Sequence, residues 1–519
     1  MARPLDALTL RVTEREVAVF RKLWRGTLGF ALVQPLLYLG AMGFGLGALI
    51  DENQGDVEGL AYLAFIAPGL LAASAMIVGG SEALWPLTGR LKWIGSYQAM
   101  VATPITPGAA YRGWLTWIAL RTGLAASAFL AVAAVLGAVP SAWGVLAVPA
   151  AVLCALAFAA PIGAYNATQE TDITFTLVMR LGVIPLFLFS GTFFPVDQLP
   201  SGVRPLVWLS PLWHGVELAR AATTGGTAGA DGLGGLVHVA VLVAVLAVDP
   251  GRHAHLHPAV DAVMALFVRP GAVLHRNVVA YRRMWYVFLS NFAEPLLYLG
   301  SIGVGVGELV GDVVVPGVGP VPYREFVAPA LVATAAMNGA VFDATFGFFF
   351  KLKWGGTFNA MLATPLGPRD VALGELGWCL LRGSTYSTVF LLIMWAFGLI
   401  ASPWAVLALP VTLLIGFAFG AVGMAATSWM RSFVDFDKIN LVLIPLFLLS
   451  GTFFPLSRYP DGVERLVRVS PLYQGVDLVR SLCLGDVGPR LLVNVAYLAA
   501  MGAAGLWVAS RRLGRLLQP

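Results

Sequence analysis

The chain contains very little charge for its length. Of its 519 residues, 12% are Asp, Glu, Lys or Arg and 58% are hydrophobic, with a mean hydropathy of +0.80. A soluble domain carries about 25% charged residues, so these side chains are too few to cover a water-soluble body of this size. The composition therefore excludes an ordinary soluble protein and predicts an integral membrane protein.

Cysteine is scarce as well, with three residues at Cys154, Cys379 and Cys483. Their odd number excludes a framework in which every cysteine is paired, and their wide spacing is not that of metal ligands.

Motifs for bond chemistry are also missing. The phosphate-binding pattern G-x-x-x-x-G-K-S/T is absent, and no Gly-Lys pair occurs anywhere in the chain. No Ser/His/Asp set or pair of carboxylates is arranged for catalysis. We therefore expect no enzyme and no ATPase site. The net charge of +5 predicts no nucleic-acid partner, because membrane proteins carry excess Lys and Arg in their cytosolic loops.

Long apolar segments, by contrast, are abundant. A spanning helix needs roughly 20 mostly apolar residues. Candidate spans lie near 27–49, 60–80, 113–137, 143–165, 174–194, 233–248, 287–310, 326–349, 376–400, 403–427, 439–454 and 491–510. The predicted fold class is an all-α integral membrane protein with about 12 transmembrane helices. The sixth span is the weakest, because Asp249 and Pro250 cut it short.

The second half of the chain repeats the first. IPLFLFSGTFFP at 184–195 recurs as IPLFLLSGTFFP at 444–455, with eleven of twelve residues identical. Three more pairs keep the same order: PLLYLGAMGFGLG at 35–47 and PLLYLGSIGVGVG at 295–307, LKWIGSYQAMVATPITP at 91–107 and LKWGGTFNAMLATPLGP at 352–368, and SPLWHGVELAR at 210–220 and SPLYQGVDLVR at 470–480. The offset is always 260 or 261 (184 to 444, 91 to 352). An even number of spans per copy predicts two parallel six-helix repeats.

The repeat predicts three segments: a first permease-like half at 1–248, a cytosolic linker with amphipathic character at 249–283, and a second half at 284–519. The linker contains alternating imidazoles at His253, His255 and His257. No Cys or carboxylate cluster completes a metal site there, so we interpret it as a fusion linker and expect no metal.

Loop charge predicts the orientation. The loop DENQGDVEG at 51–59 is acidic and without a base, whereas the loop around Arg90 and Lys92 and both chain ends are basic. Both termini are therefore expected in the cytosol. The N-terminal segment reads as an amphipathic helix on the cytosolic membrane face, with a solvated tail as the alternative.

A few charged residues fall inside the predicted spans. Glu82 and Asp343 are equivalent in the two halves, and so are Arg121 and Arg382. One hypothesis pairs the acid of the second span with the base of the third in each half. The alternative is that each side chain extends separately to the cytosolic interface.

Arg180 differs, because its counterpart is Asn440. It is expected either to hold an anionic head group or to extend to the cytosolic interface. Carriers driven by ions generally place carboxylates or unwound helices at the membrane midplane. Neither is clear here, so an external energy source is the better hypothesis.

With these motifs assembled, the sequence resembles the ABC-2 type permease family, and within it permeases of the nodulation lipo-oligosaccharide exporter type (type V exporters). The resemblance implies an exporter in the bacterial plasma membrane. It also implies a pathway of two six-span halves for an amphiphilic substrate such as a lipo-oligosaccharide, glycolipid, polysaccharide or drug. Two copies of a separate ATPase subunit are expected to bind the ATP and Mg, with no cofactor in this chain. Family members commonly supply one half per chain, so the fusion departs from the pattern.

The resemblance also assigns ATPase-coupling elements to 91–104 and 352–365. By position these would contribute Lys92, Trp93, Met100, Thr103, Pro104, Lys353, Trp354, Met361, Thr364 and Pro365. The alternative is that these loops are plain surface helices.

The repeated SGTFFP is expected at the outer end of the fifth span, where Ser-Gly loosens the helix and Pro begins a new element. Its aromatic pairs are Phe193 with Phe194 and Phe453 with Phe454. One interpretation is an outer gate formed by both pairs, and the other is an interfacial aromatic belt.

Two other functions remain open from the sequence. A secondary transporter with six-plus-six parallel repeats is the first alternative, although the signature loop and buried acid of that class are missing. A membrane scaffold without transport is the second, although a scaffold does not need two matched docking loops.

Overall fold

The structure is a computed structural model that describes residues 7–172, 174–226, 233–246, 269–282, 293–353, 355–432 and 435–517. The chain divides into two compact units, Met1–Ala259 and Val260–Pro519. The predicted segment boundaries at 248 and 283 remain a prediction. The predicted linker histidines and Trp354 lie outside the described residues.

The first unit is helical. Its main helices are α1 (Ala7–Tyr38), α2 (Tyr62–Glu82), α3 (Ser96–Val101), α4 (Pro107–Val135), α5 (Ala147–Thr168), α6 (Ile184–Phe189), α7 (Pro211–Thr224) and α8 (Leu233–Leu246). Shorter helical pieces are Leu39–Leu46, Gly47–Asn53, Trp85–Thr88, Gly89–Trp93, Ala142–Leu146, Phe175–Leu177, Val178–Val183, Val196–Gln198 and Arg204–Trp208. The predicted amphipathic segment and first span form one helical run from Ala7 to Asn53.

The second unit follows the same order. Its main helices are α9 (Arg269–Arg282), α10 (Tyr323–Phe342), α11 (Thr357–Leu362), α12 (Pro368–Ala396), α13 (Ala408–Thr427), α14 (Phe436–Leu448), α15 (Pro471–Leu484) and α16 (Arg490–Leu517). Shorter pieces are Ala293–Tyr298, Leu299–Val306, Gly307–Val310, Asp343–Gly347, Phe348–Lys353, Pro403–Leu407, Leu456–Arg458 and Asp461–Val469.

A β-hairpin precedes α10. Strands β1 (Asp312–Val315) and β2 (Gly319–Pro322) are antiparallel, with Asp312 opposite Pro322 and Val315 opposite Gly319. The first unit has a single bridge between Val57 and Leu60 at the corresponding place.

Seven helical runs in the described residues are long and apolar enough to cross a membrane. They are Tyr62–Trp93, Pro107–Val135, Ala142–Thr168, Tyr323–Lys353, Pro368–Ala396, Pro403–Thr427 and Arg490–Leu516. Shorter apolar helices occupy Phe175–Phe189, Gly234–Leu246 and Leu296–Val310. The chain is therefore a multi-pass membrane protein, and the total of twelve spans and their parallel arrangement remain a prediction.

The helices of each unit pack around buried apolar residues. In the first unit α2, α5 and α7 share a core that includes Met76, Phe158 and Val216, and α1 packs along α4. In the second unit α9 packs along α12, beside a core that also includes residues of α13 and α16.

Helix α2 fixes which features lie at which end of the first unit. Its first residue, Tyr62, donates its hydroxyl hydrogen bond to the carbonyl of Phe193 in the SGTFFP segment, at 3.0 Å. Its last residue, Glu82, ends a helix of 21 residues, which is about 30 Å long. The SGTFFP segment and the loop that follows α2 are therefore at opposite ends of the unit.

Candidate functional site

An ion pair joins α2 to α4 at the end of the first unit where α2 stops. Arg121 donates to the carboxylate of Glu82, which is buried. In the second unit Arg382 donates to Asp343 at 2.7 Å and to the hydroxyl of Tyr386 at 3.0 Å. The structure thus shows the pairing that was one of two hypotheses for these residues, in both units.

In the first unit this pair extends into a wider charged network. Arg90 contacts Glu82 at 3.2 Å and Glu16 on α1 at 3.3 Å. Tyr97, on the short helix α3, donates to the same Glu16 at 3.4 Å. Burial raises the pKa of the Tyr97 hydroxyl, so the hydroxyl stays protonated and available as a donor. Four segments, α1, α2, α3 and α4, are therefore linked through Glu16 and Glu82.

The second unit has a similar link built from different residues. Lys351 occupies the position of Arg90, and Asn277 on α9 occupies that of Glu16. Lys351 contacts Glu375 on α12 at 2.5 Å and Asn277 at 3.1 Å. Asn277 also donates to Glu375 at 3.3 Å. The carboxylate has moved from the amphipathic helix to the span, into the position held by Trp114 in the first unit.

The segments 91–104 and 352–365, here called the KW loops, each contain one short helix. Gly95 precedes α3 with φ +67°, and Gly356 precedes α11 with φ +55°. Glycine adopts this left-handed conformation without strain, so both loops enter their helix through the same turn. One aromatic side chain then anchors each helix in its unit: Tyr97 in α3 and Phe358 in α11, both buried.

The predicted coupling residues fall into two groups. Seven are exposed, namely Lys92, Trp93, Thr103, Pro104, Lys353, Thr364 and Pro365. Met100 is half-buried, whereas Met361 is buried in the core of the second unit. The two threonines donate to the carbonyls of Met100 and Met361 and so close the ends of α3 and α11.

The KW loop of the first unit also presents an apolar surface outward. Ile94 is 72% exposed, and Trp93 and Val101 in the same loop are also exposed. A large apolar side chain exposed at a loop tip often marks an interaction site when several cluster.

The opposite end of each unit contains the SGTFFP elbow, residues 190–195 and 450–455. Gly191 and Gly451 turn the chain with φ +73° and +66°, which again requires glycine. A buried arginine holds each turn: Arg220 and Arg480 donate to the carbonyls of Gly191 and Gly451, both at 2.7 Å.

These arginines also stack on aromatic rings of the second span. The guanidinium of Arg220 lies 4.3 Å from the ring centre of Phe65, and that of Arg480 lies 3.8 Å from that of Phe326. Arg480 donates a further bond to the Phe326 carbonyl at 3.0 Å. In each unit one arginine therefore fixes the elbow to the second span.

The four elbow phenylalanines are buried. Phe193 makes an edge contact with Phe187, and Phe453 does the same with Phe447. An interfacial belt needs rings at the lipid-facing surface, which this burial does not favour. The gate hypothesis stays a prediction. Arg180 lies half-buried in the π-helical turn Val178–Val183, and its two interpretations likewise stay open.

Sequence reasoning missed several residues of these sites: Glu16, Arg90, Lys351, Glu375, Arg220 and Arg480. Arg220 and Arg480 recur in the repeated SPL motif, so an arginine kept in both apolar copies was an available signal. Glu375 gave no such signal, because its counterpart is a tryptophan. In the described residues, no group of three or more His, Cys, Asp or Glu side chains is arranged to hold a metal ion.

Comparison of the sequence with known protein families identifies its family. The sequence profile of the ABC-2 type transporter matches residues 8–223 and, a second time, residues 271–484. The chain belongs to the ABC-2 type transporter family. Members of this family are membrane transport subunits and not enzymes themselves.

Individual ABC-2 relatives match about half of this chain. Nodulation protein J of Rhizobium meliloti (strain 1021) is 30% identical over 250 residues, 48% of this chain and 94% of that protein. Nodulation protein J of Rhizobium leguminosarum bv. trifolii is 34% identical over 233 residues, 43% and 86% respectively. A probable multidrug ABC transporter permease of Escherichia coli (strain K12) is 22% identical over 178 residues, 33% and 47% respectively.

The relocated carboxylate of this ABC-2 chain gives a direct test of the second-unit network. Glu375→Gln should lower the free energy of unfolding by about 2 kcal/mol, since it removes charged hydrogen bonds from Lys351 and Asn277. Adding Asn277→Glu restores a carboxylate at the position it has in the first unit, and should recover most of the loss. Thermal unfolding of the purified chain in nanodiscs measures both. A double variant no more stable than Glu375→Gln would contradict the proposed equivalence of the two networks.

Proposed function

We propose that this chain is a membrane-spanning permease subunit of an ATP-binding cassette exporter, with two soluble ATPase subunits docked on its two KW loops. The observation that carries the proposal is the KW loop of the first unit. It has an exposed apolar tip at Ile94, a short helix, and a buried tyrosine connected to the charged network.

When a partner covers an exposed isoleucine at a loop tip, apolar surface is removed from water. This burial favours binding by about 25 cal/mol per Å² of that surface. A short helix presenting such residues suits a groove on a soluble partner. Two loops with the same turn and anchoring position support two copies of one partner. ATP and Mg would then be bound by those partners.

The charged networks give such docking a mechanical consequence. A displacement of α3 acts on Glu16 through the Tyr97 hydroxyl, and Arg90 connects Glu16 to Glu82 at the end of α2. Motion of the ATPase would therefore reach the amphipathic helix and the spans together. Ion pairs with little exposure suit this role, because burial weakens the screening that salt and water exert on surface pairs.

The proposed substrate is an amphiphile, such as a lipo-oligosaccharide, a glycolipid, a polysaccharide or a drug-like molecule. The relatives that support this class are named as nodulation proteins and as a probable multidrug permease. The proposed location is the bacterial plasma membrane with both termini in the cytosol, since the basic loops lie on the side of the KW segments.

The docking proposal predicts that Ile94→Asp releases the ATPase. Co-purification of an ATP-binding subunit co-expressed with this chain should fall by about half, because a charge replaces the apolar contact at one of the two docking loops, and Gly355 stands in place of Ile94 in the other. The control is Val314→Asp in β1, which is equally apolar and 69% exposed but far from the KW loops in sequence. It should leave co-purification unchanged.

Two outcomes would contradict the proposal. One is an Ile94→Asp variant that retains the ATPase fully. The other is transport by the purified chain without ATP that collapses under an uncoupler, which would instead indicate a secondary transporter.

A further inference from the structure

Two buried histidines meet in the first unit, near the elbow and away from the KW loop. His214 on α7 and His238 on α8 are 5% and 6% exposed. Their Nδ1 atoms are 2.5 Å apart. The Trp213 ring covers both imidazoles, with ring centres 4.9 Å from His214 and 5.0 Å from His238.

This geometry holds one proton between the rings. In a neutral imidazole one nitrogen donates and the other accepts. One Nδ1 therefore donates to the other across the 2.5 Å contact.

A first further proton can add without breaking this bond only at the free Nε2 of the ring that donates, and there it puts a positive charge into a buried pair, which burial disfavours. A second would put two N–H donors against each other and two like charges side by side. The contact between α7 and α8 would then have to open.

The surroundings offer little to compensate such a charge. The elements that pack against α7 are helices α2, α5, α6 and α8, the turn Ala142–Leu146 and the short helical piece Arg204–Trp208. The titratable or charged side chains on these elements and on α7 are Tyr62, Glu82, Cys154, Tyr165, Arg204, Glu217 and Arg220. Glu217 is bound by Arg220 at 2.8 Å, and Glu82 lies at the far end of α2. Within the described residues no carboxylate bonds to either imidazole.

The second unit makes the same helix contact without imidazoles. Gln474 stands in place of His214, and LVNVA at 492–496 matches LVHVA at 236–240, so that Asn494 stands in place of His238. Asn494 on α16 donates to Asp477 on α15 at 2.9 Å. Only the first unit therefore joins these two helices through groups that titrate near neutral pH.

We infer that the His214–His238 pair is a proton-binding site that loosens the α7–α8 contact of the first unit in acid. Acid is therefore expected to weaken the contact. The fold stabilises the neutral pair, so its contribution is complete above the ordinary histidine pKa of about 6.5 and is lost progressively as the pH falls below it. This inference does not depend on the identity of the substrate or of the ATPase.

Hydrogen exchange followed by mass spectrometry tests the site locally. The full chain in nanodiscs, with EDTA present, is compared at pH 7.5 and pH 5.0 after correction for the intrinsic exchange rates. Peptides covering α7 and α8 should exchange several-fold faster in acid. Peptides covering α15 and the start of α16 provide an internal control and should change little.

The second unit also supplies the matched variant. His214→Gln with His238→Asn introduces the residues that the chain itself uses at these positions, and should abolish the acid-induced exchange in α7. His275→Gln, at an exposed histidine of α9, should leave it intact. If the double variant does not fold, His238→Asn alone makes the same test. Equal acid sensitivity of α7 and α15, or sensitivity that survives the substitutions, would overturn the inference.

Discussion

Arg382→Ala should destabilise the second unit by about 3 kcal/mol or more. Its side chain is 9% exposed, and its guanidinium bonds to the buried Asp343 at 2.7 Å. Removing one partner of a buried pair costs about 3–5 kcal/mol, because the remaining charge has lost its neutralising group in a medium of low dielectric constant. Thermal and denaturant unfolding in nanodiscs measure the loss.

The first unit provides the matched comparison. Arg121 is 27% exposed, and Arg90 also contacts its partner Glu82 at 3.2 Å. Arg121→Ala leaves a second cation beside the carboxylate, so its cost should be clearly smaller than that of Arg382→Ala. Equal losses would show that Arg90 does not share the charge of Glu82.

Exchanging the charges separates pairing from packing. Asp343→Arg and Arg382→Asp should each be strongly destabilising, and the double variant should recover part of the loss. A positive interaction energy in this double-mutant cycle indicates a true pair. Purely additive losses would mean that the two residues act independently, whatever their separation.

The sequence offered these pairs as one of two hypotheses, because both members recur at a constant offset inside apolar segments, where a charge is costly. It did not predict the networks that extend them. Glu16 lies among other charged residues of the predicted amphipathic segment, and only the fold turns it inward against Arg90. Glu375 gave no signal in the repeat, because its counterpart is Trp114. The first unit has its carboxylate at Glu16, whereas the second has Asn277 there and has its carboxylate at Glu375 instead.

The helix boundaries could likewise be predicted only in part. Each of the seven long apolar runs in the described residues overlaps a predicted span, since burial in lipid needs long runs of apolar side chains. The ends agree less well, because Tyr62–Trp93 continues 13 residues beyond the predicted 60–80. Composition did not indicate that the first amphipathic segment continues into the next span as one helix from Ala7 to Asn53. The elbow was located by its Ser-Gly-Thr motif, but the arginines that hold it come from a helix further along the chain, and no local pattern connects them.

Phe194→Ala should produce the other large effect. The ring is 1% exposed, and truncating a fully buried phenylalanine costs about 3–5 kcal/mol through lost contacts and the cavity left behind. The elbow around it is held by Arg220 and by the Tyr62 hydroxyl, so it has little freedom to collapse into the space. Unfolding of the variant in nanodiscs should therefore begin well below the temperature found for the unaltered chain.

That cost changes how the gate hypothesis has to be tested. Phe194→Ala alone mixes lost stability with lost closure, whereas Phe194→Leu keeps most of the volume and should cost less than about 1.5 kcal/mol. A gate requires the aromatic ring, so Phe194→Leu and Phe454→Leu should each alter the ATPase stimulation of the assembled complex while insertion and unfolding stay near normal. If leucine restores both stability and coupling at each position, the phenylalanines are core residues of the elbow and the gate must be sought elsewhere.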